Sequence, residues 1–563
     1  MSKIVKASME ELKRAVETAM REAIAAGDLP EAPLPPFTIE IPADTSHGDF
    51  ATNAAMAGAR AFRAAPRKIA EAVVKHLSLS GTYFERCEIA GPGFINFFLK
   101  QAFFGDILKD VRALGDDYGR SDYGKGEKVM VEFVSANPTG PMHMGNARGG
   151  ALGDCLAAVM DAAGYSVWRE FYVNDAGNQI EKFGCSLEAR YLQLYLGEDK
   201  VEFPEDGYHG EDIREAAQKY AGEFGDVLVN ASPAERRKAL VEFALPQNIE
   251  RMKRDLLKYG IEYDEWFLES SLHKSGEVNE VIQILTDKGL TYEKDGALWY
   301  RATQYGAEKD EVLIRKNGTP TYFTADVAYH RNKFKRGFDR CIDVWGADHH
   351  GHVARMKGAM DAIGLDGNKL DIVLIQLVRL TRDGEVVRMS KRTGKAIQLS
   401  DLLDEVPVDA ARFLFNMREA SSQMDFDLDL AVQQDSQNPV YYVQYAHARI
   451  CSLFRKMREA GMEVRECSGE ELSKLTAPEE IELIRHISAF TDEIVLAAKD
   501  YDPARITRYV ITMANLFHRF YNACRIAGEE EGLAAARLLL CEAVSTVIRN
   551  VLRMFNISTP ESM

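Results

Sequence analysis

Two short runs of this chain carry residue types suited to phosphate chemistry. The first is His143-Met144-Gly145-Asn146, which leads through Ala147-Arg148-Gly149-Gly150 into a long helical pattern ending near Gly164. A glycine at a helix start lets a ligand approach the backbone, where unpaired N–H groups and the helix dipole favour an anion. His143 can add a hydrogen bond to the same group. The second run lies far downstream, Arg388-Met389-Ser390-Lys391-Arg392-Thr393-Gly394-Lys395, a basic and glycine-flanked loop. Either run alone reads equally as a turn histidine or a solvated charge cluster; the two in this order are more specific. Between them, Trp345-Gly346-Ala347-Asp348-His349-His350-Gly351-His352 groups three histidines. No carboxylate or cysteine completes a recognisable ligand spacing there, so no metal site is expected.

These runs need elements to position them. Val129 to Val134 is an apolar, β-branched stretch of the kind that forms a buried parallel strand, and it precedes the first run directly. Strand, tight loop and glycine-rich helix start make the first unit of a nucleotide-binding α/β sheet. A second strand is expected at Ser166 to Val173, with a helix from about Asn178. A charged, mainly helical insertion over about 195–290 then interrupts the alternation. It resumes with strands expected at 297–301, 312–315, 321–324, 341–345 and 372–380. Before all this, residues 1–115 read as a separate α+β unit. It has an amphipathic helix over 9–26, helical spacing over 54–76 and a strand-like run Phe94 to Leu99 after Gly91-Pro92-Gly93. After about residue 431 every strong pattern is helical: 441–460, 478–499, 502–527 and 532–555. The expected organisation is an N-terminal α+β domain (1–115), a Rossmann-type α/β domain (116–430) with its helical insertion, and a C-terminal all-α bundle (431–563).

Composition narrows the classes of function. With 563 residues, 46% hydrophobic and 28% charged, the chain can bury several cores and has no disordered default. The N-terminus lacks the apolar core and cleavage site of a secretory signal, and no stretch is long and apolar enough to span a bilayer, so a cytoplasmic protein without membrane contact is expected. Eight cysteines without a CxxC pair read as free thiols. A net charge of -17 argues against non-specific nucleic-acid binding; an RNA partner would need local basic faces.

The paired runs resemble the signatures of class I aminoacyl-tRNA synthetases, conventionally written HIGH and KMSKS and standing here as HMGN and RMSKR. Asn146 replaces the second histidine and Arg388 the first lysine; a side-chain donor and a positive charge are kept. The resemblance implies that the carboxylate of an amino acid attacks the α-phosphorus of ATP. His143 and Lys391 would be catalytic, and Mg2+ would neutralise the pyrophosphate. It implies further ATP contacts by Gly145, Asn146, Gly346, Asp348, Met389 and Ser390.

The run Glu132-Phe133-Val134-Ser135-Ala136-Asn137 and the run Tyr322-Phe323-Thr324-Ala325-Asp326 are specifically similar to the arginyl-tRNA synthetases. Guanidinium is a planar fork of donors suited to carboxylates, and Glu132 and Asp326 are the acids expected to meet it. Tyr322 would line the pocket, Ser135 and Asn137 would hold the α-amino and carboxylate end, and His349 would contact substrate. A lysine-specific enzyme and a non-catalytic tRNA-binding paralogue are the rival readings. The similarity extends to His47-Gly48-Asp49-Phe50 and Gly91-Pro92-Gly93-Phe94-Ile95-Asn96, and to Gln437-Asn438-Pro439 through Arg449 at the start of the bundle. It therefore implies tRNA(Arg) and L-arginine as partners of a monomer. Contacts to tRNA are expected from Asn96 and from Arg505, Arg508, Arg519 and Arg525, whose interleaved aromatics Tyr509, Phe517, Phe520 and Tyr521 could stack on unpaired bases.

Overall fold

The computed structural model describes residues 3–42, 44–387 and 397–563. Its centre is a five-stranded, wholly parallel sheet. Across the sheet the strands run Leu370–Ile375, Arg340–Gly346, Lys128–Glu132, Ser166–Val173 and Glu265–Leu268. Numbered in chain order this is 5-4-1-2-3, the doubly wound order, and the direction of winding reverses between Lys128–Glu132 and Arg340–Gly346. Ligands of such sheets bind beyond the carboxyl ends of the strands at that switch point. The helix Gly145–Ala162 returns from the first strand and is buried on nearly every side, which suits its run of Gly and Ala.

Several features depart from the sequence expectations, and the strand expected at 372–380 is divided between Leu370–Ile375 and Val378–Arg382, in two different sheets. The edge strand Glu265–Leu268 comes from within the stretch read as a mainly helical insertion, which otherwise carries the helices Glu211–Phe224, Pro233–Lys258, Glu269–Ser275 and Glu277–Asp287. Residues 297–300 and 311–314 are strands, but they belong to a separate antiparallel sheet with Thr291–Lys294. The run Thr321–Thr324, rich in β-branched and aromatic residues, opens the helix Tyr322–Lys335. Local preference loses there because Phe323, Thr324, Val327 and Ala328 are all buried, a pattern that only helical winding satisfies.

The N-terminal unit is a four-stranded antiparallel sheet under the helices Lys3–Ala25, Ala54–Phe62 and Pro66–His76, the last two separated at Arg63 in the left-handed region. Its core packs Phe50, Phe84 and Phe97 edge to face. The C-terminal bundle is helical throughout, as expected, and the stretch 478–499 forms two helices, Pro478–Ser488 and Phe490–Asp500. A further three-stranded sheet, Glu385–Val387, Val378–Arg382 and Met424–Asp427, follows the parallel sheet in the chain and leads into the stretch that contains Lys391. All eight cysteines are free. No helix among the described residues is long and apolar enough to cross a membrane.

Candidate active site

The first strand ends at Glu132 in an abrupt turn. The Ser135 N–H donates to the Phe133 carbonyl at 3.1 Å, closing a three-residue turn with Val134 at φ +70° and Ser135 at φ +42°. A β-branched residue is strained at positive φ, and the surrounding contacts must hold it there. The Ser135 hydroxyl does so in part: it donates to Glu132 Oε1 at 2.8 Å and accepts from the Tyr172 N–H at 3.2 Å.

Beyond the turn, His143 is exposed at the mouth of the helix Gly145–Ala162. Its Nδ1 accepts the Gly145 N–H at 3.1 Å, so the neutral ring carries its proton on Nε2 and offers it outward as a donor. A Cβ at Gly145 would meet only this ring nitrogen, at 3.4 Å. Packing does not require the glycine, which leaves the backbone open to a ligand. Asn146 is half-buried in the same turn. Met389, Ser390 and Lys391 lie outside the described residues, but the chain just after them does not. The Met144 N–H donates to Ile397 O at 3.0 Å and the Leu399 N–H to Met142 O at 2.9 Å, so the segment Ile397–Leu399 pairs with the residues around His143.

Gly346 and Asp348 sit across the switch point at the end of the strand Arg340–Gly346, and the Asp348 carboxylate is exposed. His349 leans towards Asp348 (3.6 Å) and not towards the pocket acid. His352 is the histidine that reaches that acid, with Nε2 3.4 Å from Asp326 Oδ2.

Tyr322 and Asp326 share one face of the helix Tyr322–Lys335. The Tyr322 hydroxyl accepts the Gln179 N–H at 3.2 Å, and its ring crosses Gly177, where φ is +76° and a Cβ would sit 3.0 Å from the ring. Only glycine suits that crossing. The adjoining cavity of about 350 Å³ is lined by Tyr322, Gly177 and Glu269, among others. Glu269 escaped the sequence reading; it directly follows the apolar run Trp266-Phe267-Leu268. Burial pushes its carboxyl up to about 7, with the charges of Asp326 and Asp175 adding to the rise. The buried Tyr172 hydroxyl stands among Glu269, Asp326 and Glu132; burial and these three acids raise it well above its ordinary value.

Glu132, expected to meet the guanidinium, already has a cation partner within the protein. It is 6% exposed and accepts the Lys333 ammonium, which also donates to Asp343 Oδ1 at 2.7 Å. His330 donates from Nδ1 to the Asp326 carbonyl at 2.7 Å and meets Asp343 Oδ2 through Nε2 at 2.6 Å. Burial and the Asp343 charge raise Glu132. Burial works against Asp343 too, but Lys333 and His330 hold it below the usual carboxylate range. The ligand atoms of Glu132, His330 and Asp343 lie within 4.8 Å of one another, as a metal site would require, but the Lys333 ammonium is already the cation among them.

The residues expected to meet RNA are distributed unevenly. Asn96 is 6% exposed, in the strand Phe94–Leu99 between Ala51 and Glu88. Arg505, Arg508 and Arg519 pair with Glu493, Asp502 and Glu482, and Arg525 is exposed. Tyr509, Phe517 and Phe520 are buried in the bundle core and cannot stack on bases. The accessible aromatic group is a different one, on the helices Pro439–Glu459 and Ala504–Ala523. Tyr442 and Tyr445 pack on His518 at 5.1 and 5.9 Å, and Arg449 lies 4.1 Å from the Tyr521 ring.

Comparison with known proteins decides the family. Three sequence profiles match in order: the arginyl tRNA synthetase N terminal domain over 10–99, the class I (R) tRNA synthetase catalytic domain over 111–451, and the DALR anticodon binding domain over 443–563. The chain belongs to the arginyl-tRNA synthetase family. The arginine–tRNA ligase of Acetivibrio thermocellus is 56% identical over the full length of both chains, and that of Caldanaerobacter subterraneus is 58% identical, again over both full lengths. Among solved structures, a putative arginyl-tRNA synthetase from Campylobacter jejuni is 33% identical with a TM-score of 0.74, covering 83% of this chain and 100% of its own. The arginyl-tRNA synthetase of Thermus thermophilus shares the fold at 22% identity, with a TM-score of 0.70, covering 98% of this chain and 100% of its own.

Proposed function

We propose that the chain activates L-arginine with ATP and transfers it to the 3'-terminal adenosine of tRNA(Arg). In the first step the arginine carboxylate bonds to the α-phosphorus while the bond to the β-phosphate oxygen breaks, releasing pyrophosphate. In the second a ribose hydroxyl takes the acyl carbon and AMP leaves. The observation that carries this reading is the meeting of three things near the switch point: the outward His143 donor, the return of the chain at Ile397–Leu399 after the stretch that contains Lys391, and the acids Glu269 and Asp326 grouped around the Tyr172 hydroxyl beside the cavity. His143 and Lys391 stabilise charge growing on the phosphoryl oxygens, where positioned donors act most strongly. Gly145, Asn146, Met389 and Ser390 line the phosphates, and Gly346 and Asp348 hold the ribose. Mg2+ enters with ATP, bound chiefly through phosphate oxygens.

Asp326 and Glu269 read the guanidinium, with Tyr322 along the side chain and His352 behind Asp326. Glu132, already neutralised by Lys333, closes the pocket floor, while Ser135 and Asn137 face the α-amino and carboxylate end. For the anticodon loop, the surface of Tyr442, Tyr445, Arg449 and Tyr521 offers accessible rings and a cation, a better fit to unstacked bases than the paired arginines. A monomer working in the cytoplasm fits these substrates.

The test is amino-acid-dependent ATP/pyrophosphate exchange, run with and without tRNA. Arginine should support it and lysine should not. Exchange with lysine as fast as with arginine would replace the substrate assignment, and no exchange with either, tRNA present, would remove the activity.

A further inference from the structure

Arg148 stands one turn into the helix that begins at the His143 signature, and it is 1% exposed. Its guanidinium meets backbone carbonyls: Nη1 donates to Gln376 O at 3.0 Å and Ser422 O at 2.8 Å, and Nη2 to Glu419 O at 2.7 Å, while Nε has no partner. Among the described residues it makes no ion pair with a carboxylate. A cation buried against carbonyls alone is an expensive way to fill a core, since an apolar side chain of similar volume costs less. Burial lowers its pKa to about 10, which leaves it charged at neutral pH.

The three carbonyls share one property. Gln376 follows the strand Leu370–Ile375 and precedes the strand Val378–Arg382, and Glu419 and Ser422 precede the strand Met424–Asp427, which pairs with Val378–Arg382 in parallel. The Gln376 N–H also donates to Ala420 O at 3.0 Å, so the two segments leading into the small sheet are tied to each other as well as to Arg148. From Val378–Arg382 the chain turns into Glu385–Val387 and then continues into the stretch that contains Lys391. It emerges at Ile397–Leu399 against Met142 and Met144.

We propose that Arg148 is a positioning residue for adenylate formation, locking the His143 helix to the sheet from which the Lys391 stretch departs. It ties the helix Gly145–Ala162 to the segments that lead into the small sheet, in addition to the Ile397–Leu399 contact with Met142 and Met144. The planar fork is essential, because a lysine ammonium cannot span carbonyls on two separate segments with the same geometry. This inference rests on the catalytic roles proposed above for His143 and Lys391.

The test compares Arg148→Met and Arg148→Lys with Lys391→Ala and with the double variant R148M/K391A, all in the full-length chain. Pyrophosphate exchange is read as kcat and arginine KM, and tRNA binding reports an intact fold. A misplaced catalytic group costs about 100-fold, so both Arg148 variants should lose about that much in kcat with arginine KM within about twofold. The double variant should fall no further than K391A, because a positioning residue has nothing left to position. Losses that multiply in the double variant, or an unchanged kcat in both single Arg148 variants, would overturn the proposal while leaving Lys391 in place. A K391A variant as fast as the parent would remove the role of Lys391 and this inference together. If R148M fails to bind tRNA, R148K, which keeps the charge, decides by the same kcat and KM criteria, its partner being R148K/K391A.

Discussion

Two groups of acids stand close to Tyr172, and they are compensated in opposite ways. In the first, Glu132 and Asp343 share the buried Lys333, and His330 hydrogen-bonds to Asp343. In the second, burial carries Glu269 up to about 7 with the charges of Asp326 and Asp175 adding to the rise; His273 lies 3.5 Å from Glu269 and His352 3.4 Å from Asp326, and Lys274 and Arg315 line the same cavity as Glu269. The lesson concerns division of labour. A satisfied network fixes geometry, whereas an unsatisfied one stores a binding preference that a cation of the right shape can claim. The same contrast explains why Glu132, the more conspicuous acid in the sequence, is the poorer candidate for direct reading of guanidinium.

Removing the shared cation should break the comparison most severely. Lys333→Met leaves two buried carboxylates without their ammonium, and the loss of one partner from a buried pair costs about 3 to 5 kcal/mol. Denaturant titration of the full-length chain should show that loss, largest at neutral pH and smaller in acid, where Glu132 takes up a proton. A loss below about 1 kcal/mol would mean that the network is not the internally balanced unit described here.

The pocket acids should behave in the opposite sense. Truncating one partner of a desolvated charge pair costs about 2 to 5 kcal/mol of binding, so Glu269→Gln and Asp326→Asn should raise the arginine Kd at least about 30-fold. Glu269→Gln should also stabilise the free protein slightly, by up to about 1 kcal/mol, because a repelling charge is gone. Calorimetry and thermal unfolding on the same samples check both signs. A variant that binds arginine normally removes that acid from the guanidinium site.

The smallest effect is on pH. Glu269 is raised from 4.5 to about 7 in the folded chain, so between those values the folded state holds a proton that the unfolded state has released. Its contribution to stability is therefore greatest below about 4.5 and is lost as pH rises through about 7. Arginine binding runs the other way: it needs the ionised form, so affinity should climb as pH rises from about 6 to about 8, with a proton released on binding. Titrations in buffers of different ionisation heat measure that proton. Its absence at about pH 6.5, together with a flat affinity profile, would show that Glu269 does not meet the ligand's charge.

The sequence alone determined the features that local physics writes into neighbouring residues. The apolar, β-branched strand before His143, the helix start at Gly145 and the helical bundle after residue 431 all follow from spacing within a few turns or one strand. What only the tertiary structure decided was which distant groups neutralise one another. Lys333 lies 201 residues from Glu132, and nothing in the periodicity of either segment says that they touch. Glu269 reaches the pocket only because the edge strand Glu265–Leu268 leaves the apparent insertion to join the sheet, and Arg148 gains its role only because two separate segments present their carbonyls to it. Periodicity reports which face of an element is buried, whereas the charge state of a buried group depends on what the topology brings against that face.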